Sequence, residues 1–261
     1  MATDPYAAPK ARVADLPAAA AEGQFIAEGQ AVPAGRGWAW WTEAWALFRR
    51  QPGTWILVIV VFVAISIAIG IIPFLGNIAG YILGPIFAGG LMLGCHELAR
   101  GGELRVGHLF AGFQDHLGRL ALLGVAYLLM FLVAFIVAFA VAGAGLGLGW
   151  LIGMGDARPG GISTMTMLLA ALVALALMIP AAMAIWFAPA LVVQNDFAVG
   201  DALKASFSAS LRNFVPFLVY GAAFLGLGIL ASIPLMLGWF VLGPALIASV
   251  YTAYRDIFYA E

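Results

Sequence analysis

The sequence predicts an all-α integral membrane protein: six transmembrane helices in three hairpins, each preceded by a short amphipathic interfacial helix, with both termini cytoplasmic. Three observations carry this expectation. Of 261 residues, 64% are hydrophobic and only 10% charged, with a mean hydropathy of +1.03; a soluble domain carries about a quarter of its residues as charges. Charge-free apolar runs long enough to cross roughly 30 Å of hydrocarbon recur along the chain. The basic residues, finally, fall almost entirely on one side of those runs.

Residues 1–36 hold Pro5, Pro9, Pro17 and Pro33 among small residues and scattered charges, with no apolar run. They read as a disordered cytoplasmic tail, and no signal-peptide pattern precedes the first span. A polytopic membrane domain follows over 37–258. Its spans are expected at 54–74, 78–98, 120–141, 165–193, 214–233 and 239–254. The second carries Gly84, Pro85, Gly89, Gly90 and Gly94, a composition that suits a helix packed among neighbours. The fourth contains Pro180 and Pro189 and is long enough to tilt or kink. Between the third and fourth, the glycine-rich stretch 143–161 is expected to form a loop or a re-entrant segment around Trp150.

Orientation follows from the basic residues. Eleven of the 12 lie before span one, between spans two and three, between four and five, or after six; Arg158 is alone on the other side. The positive-inside rule then puts both ends in the cytoplasm of a bacterial inner membrane.

A short segment of helical period precedes each odd-numbered span. Trp38, Trp41, Trp45 and Phe48 form the first apolar stripe, and Val106, Phe110, Phe113 and Leu117 the second. Val199, Leu203, Phe207, Leu211 and Phe214 form the third, with Asp201, Lys204, Ser208 and Arg212 opposite. Such segments suit helices lying in the membrane surface. GYILGP at 80–85 is echoed by GWFVLGP at 238–244, so the chain divides into repeat units 38–100, 105–196 and 199–258.

The search for chemistry is negative. His96-Glu97-Leu98-Ala99-Arg100 opens like a zinc protease signature, but Arg100 stands where the second histidine ligand belongs. His108 and His116, eight apart, could share a face with Glu97 or Asp115, a weak metal pattern beside the commoner reading of solvated interfacial side chains. The single cysteine, Cys95, excludes an internal disulfide, and it reads as a buried structural thiol. Ser206, Ser208 and Ser210 are expected to hydrate a surface helix. No Asp, Glu, Lys, Arg or His falls at the centre of a span, which argues against a proton relay. Catalytic residues, cofactors and metal ligands are therefore expected to be none. The candidate functional region is an interfacial polar cluster of Glu97, Arg100, Asp196, Arg212, Arg255 and Asp256, gathered from the repeated span entries and exits. With a formal net charge of −1, nucleic acid is not an expected partner. Membrane lipids, a membrane protein complex or further copies of the chain are.

Five stretches carry a family likeness: VPAGRGWAWWTEAWALFRRQP at 32–52, LGPIFAGGLMLGC at 83–95, ELRVGHLFAGF at 103–113, DALKASFSASLRNFVPFLVYG at 201–221 and YTAYRDIF at 251–258. With these the chain resembles an uncharacterised family of proteobacterial inner-membrane proteins with about six transmembrane helices. That resemblance implies no activity and no site residues. The layout is also similar to the membrane domain attached to some bacterial glycerophosphodiester phosphodiesterases, but no soluble phosphodiesterase domain is expected in this chain. The functional expectation is an accessory or scaffold protein without catalytic activity. Its alternative is a small-solute or lipid transporter using a cavity among kinked helices.

Overall fold

The structure, a computed structural model, describes residues 23–73, 75–151 and 161–260. Among these the order is β1 (Gln24–Phe25), α1 (Arg36–Arg50), α2 (Pro52–Gly70), α3 (Leu75–Ala99), a 3-10 helix (Val106–Phe113), α4 (Leu117–Leu151), α5 (Gly161–Trp186), α6 (Ala188–Asn195), α7 (Val199–Arg212), α8 (Phe214–Ser232), α9 (Trp239–Phe258) and β2 (Tyr259–Ala260). Five stretches are long and apolar enough to cross a membrane: α2, 78–99 of α3, 117–145 of α4, 164–195 across α5 and α6, and α8. Their large apolar side chains point outward, as Ile67, Phe139, Met165 and Leu225 do, an arrangement suited to a surrounding hydrocarbon phase.

The sixth expected span behaves differently. α9 is a helix, but it is not among those five; Tyr254, Arg255 and Asp256 fill its last turns. Ala248, Ser249, Tyr254, Ile257 and Phe258 are all fully buried, because α1, α2, α3 and α8 pack around it. α3 is the other internal helix, with half of its apolar window buried, against 22% or less for the remaining four. The more exposed α2, α4, α5 and α8 therefore lie around a centre made by α3, α6 and α9.

Several expectations are corrected. The tail does not extend to residue 36: from residue 23 the chain is an ordered strap, and β1 pairs antiparallel with β2; residues 1–22 lie outside the described residues. The glycine-rich loop is helical through Leu151, and helix resumes at Gly161, leaving 152–160 outside the described residues. Glycine costs a helix about 1 kcal/mol against alanine, yet α4 packs along α5 here and continues. Its 35 residues make about 52 Å of helix, more than a bilayer core needs, so α4 must tilt or project.

α1 is rotated from its expected stripe. Its buried face is Gly37, Trp40, Trp41, Ala44, Leu47 and Phe48, while Trp38 and Trp45 are exposed. The inward set recurs every three or four residues as a helix requires; tryptophan at 38, 40, 41 and 45, on both faces, hid it. The second amphipathic segment is a 3-10 helix, not an α-helix, with Leu109 and Gly112 inward. It lies backbone to backbone on α3: a Cβ on Gly90 would come within 2.3 Å of the His108 carbonyl oxygen, and one on Gly112 within 2.1 Å of that of Ile86.

Span four is broken where Pro189 lacks an N–H and crowds the preceding turn. In an unbroken helix the Phe187 N–H would donate to the Met183 carbonyl. Here the Ser206 hydroxyl, from α7, stands between them: Phe187 N–H donates to Ser206 Oγ at 3.0 Å, and Ser206 Oγ–H donates to Met183 O at 2.8 Å. Ser210 adds a bond to the same carbonyl at 3.3 Å. Both serines are buried, which corrects their reading as hydrated surface groups. The small face of α7, Ala202, Ser206, Ala209 and Ser210, packs inward, and Phe207, Leu211 and Phe214 stay exposed.

Ser206→Ala removes both hydrogen bonds at a buried site and should destabilise the fold by about 1–3 kcal/mol. Ser208→Ala should change it by less than about 0.5 kcal/mol. Thermal unfolding of the two variants in detergent checks this, and equal melting temperatures would refute the inserted-hydroxyl account.

Candidate functional site

The polar side chains gather at the end of the bundle that carries the strap. Three helices, α3, α6 and α9, finish there, and the last turn of any helix leaves carbonyls without partners. Each exit receives donors from elsewhere in the chain. At the end of α3, Arg50 Nη1 donates to Leu98 O at 2.7 Å, and the next side chain, Gln51, accepts the Leu104 N–H at 2.8 Å. After α6, Arg119 Nη1 donates to Asp196 O at 2.9 Å and pairs with Asp196 Oδ1 at 2.6 Å. The last carbonyls of α9 take donors from the strap: Gln30 Nε2 to Asp256 O at 2.9 Å, Gln30 N to Ile257 O at 2.8 Å and Ile26 N to Phe258 O at 2.8 Å. Arg212 then holds the strap, donating to Gly29 O and Glu28 Oε2 at 3.1 Å each. Asn213, fully buried, accepts the Val32 N–H at 2.8 Å and donates to Gln30 O at 2.9 Å.

Arg50, Arg119 and Arg212 thus occupy one kind of place, where a short helix meets a helix of spanning length. Arg50-Gln51 and Arg212-Asn213 repeat the device in full: guanidinium to carbonyl, amide to backbone. Of these five the expected polar cluster held Arg212 alone. The signal for the others is a basic residue at each junction, followed twice by an amide.

The other members of the expected cluster divide among separate contacts. Asp256 is the anchor of α1: Arg36 Nε and Trp40 Nε1 both donate to its Oδ2 at 2.7 Å, and Arg36 also pairs with Glu43 at 2.9 Å. The hydrogen bond to Asp256 raises the Arg36 guanidinium above its ordinary value. Asp196 sits in a left-handed turn, φ 58°, at the α6 C-cap. Glu97 is exposed with its carboxylate over Gly102; its charge works against the burial that lowers His108 below the usual histidine range. Arg100 directly follows α3, its N–H donating to His96 O at 3.1 Å. Asp196, Arg212 and Asp256 therefore pair with Arg119, Glu28 and Arg36 and not with one another. His108 and His116 join no group of three potential metal ligands among the described residues.

Inside the ring of latches, α3, α6 and α9 meet through side chains. Tyr254 OH donates to Asn195 Oδ1, Asn195 Nδ2 donates to Tyr259 OH at 3.1 Å, and His96 Nδ1 lies 3.2 Å from Tyr251 OH. Gln194 Nε2 donates to Met92 O at 3.4 Å, but its buried Oε1 has no donor. Arg255 stacks its guanidinium 4.0 Å above the Tyr259 ring, and its buried Nη1 has no acceptor. A cation–π contact contributes about 0.5–2 kcal/mol. Removing a charge from water costs several kcal/mol, so the stacking does not by itself offset burial of that group.

No family model matches the chain, and no solved structure matches it. The chain is similar to a probable inner membrane protein of Burkholderia thailandensis, 29% identical over 225 residues that cover 84% of this chain and 82% of that protein. This is an integral membrane protein. Five apolar helices of spanning length and a proteobacterial relative named for the inner membrane agree on that. The likeness runs through most of the length over which the motifs suggested a family of this kind.

Asp256→Ala leaves the indole N–H of the fully buried Trp40 and the Arg36 guanidinium without their shared acceptor. It should cost about 2–3 kcal/mol, and Asp256→Asn, which keeps an acceptor, about half of that. Unfolding of both variants in detergent tests the order; a variant pair indistinguishable from the parent would remove Asp256 as the anchor of α1.

Proposed function

We propose that this chain is an accessory or scaffold protein of the bacterial inner membrane, with no catalytic activity, crossing the bilayer six times with both termini in the cytoplasm. The observation that carries the scaffold reading is the fastening of all three helix exits by Arg50, Arg119 and the Arg212-held strap. A plate tied at so many backbone positions suits a fixed platform, while the outward faces of α2, α4, α5 and α8 remain available to lipid, to a membrane protein complex or to further copies of the chain.

Six crossings are favoured over five by the two ends of the chain. β1 and β2 are hydrogen-bonded partners, so the strap and the C-terminus share one side, which needs an even number of crossings. α9, at 20 residues or about 30 Å, supplies the sixth, its polar last turns lying at the strap end. Three hairpins result, α2–α3, α4 with α5–α6, and α8–α9. α1, the 3-10 helix and α7 then lie along the cytoplasmic surface, with Phe207, Leu211 and Phe214 facing lipid. The basic residues give the orientation.

One observation favours the second reading, a carrier for a small solute or lipid. The α5–α6 break, held open by the Ser206 hydroxyl, is the kind of discontinuous helix from which transporters build binding sites and moving parts.

Topology is testable with single cysteines in a Cys95→Ser background. A membrane-impermeant maleimide applied to intact spheroplasts should label Asp156→Cys and spare Glu103→Cys; equal labelling of the two would overturn the arrangement. For function, affinity purification from native membranes should bring down a reproducible membrane partner or a defined homo-oligomer. Isolation as a lone monomer, together with saturable uptake by reconstituted liposomes, would replace the scaffold by the carrier.

A further inference from the structure

Arg255 is unlike the four arginines that fasten the strap end. Arg36, Arg50, Arg119 and Arg212 each have an oxygen acceptor within 3.1 Å. Arg255 has none among the described residues; Nη1 is buried and unpaired, and the side chain is held only by the face of Tyr259. The neighbouring carboxylate, Asp256, already accepts from Arg36 and Trp40. A guanidinium carries five N–H donors in a planar fork, and stacking on a ring leaves that fork in position to meet a planar or tetrahedral oxyanion edge-on.

The surroundings fit such a group. Tyr251 lies one helical turn before Arg255 on α9, so the two share a face. Tyr251 meets His96 of α3, and Met92, one turn before His96, accepts from Gln194 of α6. The seam of α3, α6 and α9 thus holds a phenol, an imidazole and an amide as well as the unmatched cation, and among the described residues the amide oxygen of Gln194 is itself a buried acceptor without a donor. A partner offering several anionic oxygens satisfies the guanidinium fork.

We propose that Arg255 is the cationic half of an oxyanion-binding site at the junction of α3, α6 and α9, taking a phosphate group. The phosphate belongs either to an anionic lipid headgroup of the adjoining leaflet or to a free soluble anion, and the chemistry of the site is the same for both. The site stands whether the protein is a scaffold or a carrier, so its failure leaves that question untouched.

The test uses the full chain, delipidated in detergent, with thermal unfolding as readout. It is titrated with phosphatidylglycerol, with phosphatidylcholine and with inorganic phosphate. A ligand that binds only the folded state raises the melting temperature in a saturable way. Phosphatidylglycerol alone raising it identifies a lipid headgroup, and inorganic phosphate doing so identifies a soluble anion. In either case Arg255→Gln should abolish the response, and Arg255→Lys, which keeps the charge without the fork, should weaken apparent affinity about 10-fold. Arg49→Gln, which removes an exposed charge at the end of α1, should stay within about 2-fold of the parent. If Arg255→Gln does not fold, the lysine variant decides. The proposal is overturned if neither phosphate probe stabilises the protein, if Arg255→Lys binds as tightly as the parent, or if Arg49→Gln loses the response equally.

Discussion

A helix ends in carbonyl oxygens that no further turn can satisfy, and away from water their desolvation is costly. The strap end of this protein is organised by that constraint. The exits of α3, α6 and α9 are each closed by donors brought from distant sequence: Arg50, Arg119, and the backbone and side chain of Gln30. Once those donors are in place, the surface segments that carry them are drawn against the bundle, and their buried faces follow. α1 turns Trp40 inward because its carbonyl and indole are claimed by Thr252 and Asp256 of α9.

The same requirement operates inside the bundle at Pro189. The backbone bond that proline breaks is replaced by a two-step path through the Ser206 hydroxyl. This makes α7 a structural partner of α5 and α6 and leaves its apolar stripe, Phe207, Leu211 and Phe214, turned away from protein. Polar satisfaction and apolar exposure are thereby assigned to opposite faces of one short helix. Arg255 departs from this pattern: among the described residues its buried Nη1 meets no oxygen, as the buried Gln194 Oε1 meets no donor.

The division between what was legible and what was not follows the range of the interactions. Hydropathy is a local, additive property, so α2, α3, α4, the α5–α6 pair and α8 could be read from windows of about 20 residues. A kink in the fourth span could be read from Pro180 and Pro189, but not which of the two breaks the helix. The periodicity of α7 was also legible, since its stripe is a property of one helix. The extension of α4 through Gly143–Gly149 was not, because glycine propensity is weak beside packing against α5. Nor was the face of α1, where the contrast between Trp38 and Trp40 depends on a neighbouring helix some two hundred residues away.

The sequence by itself determined an apolar, helical membrane protein whose charges collect at one end, with a basic residue at each junction between surface segment and span. Only the tertiary structure decided which oxygen each of those residues meets. Arg212 reaches Glu28, 184 residues away in sequence, and Asp256 takes Arg36, 220 residues away; none of these pairings has a period that a linear pattern could reveal. Partner choice here is set by which helix ends come together in space, and that is settled by the packing of α3, α6 and α9 as a whole.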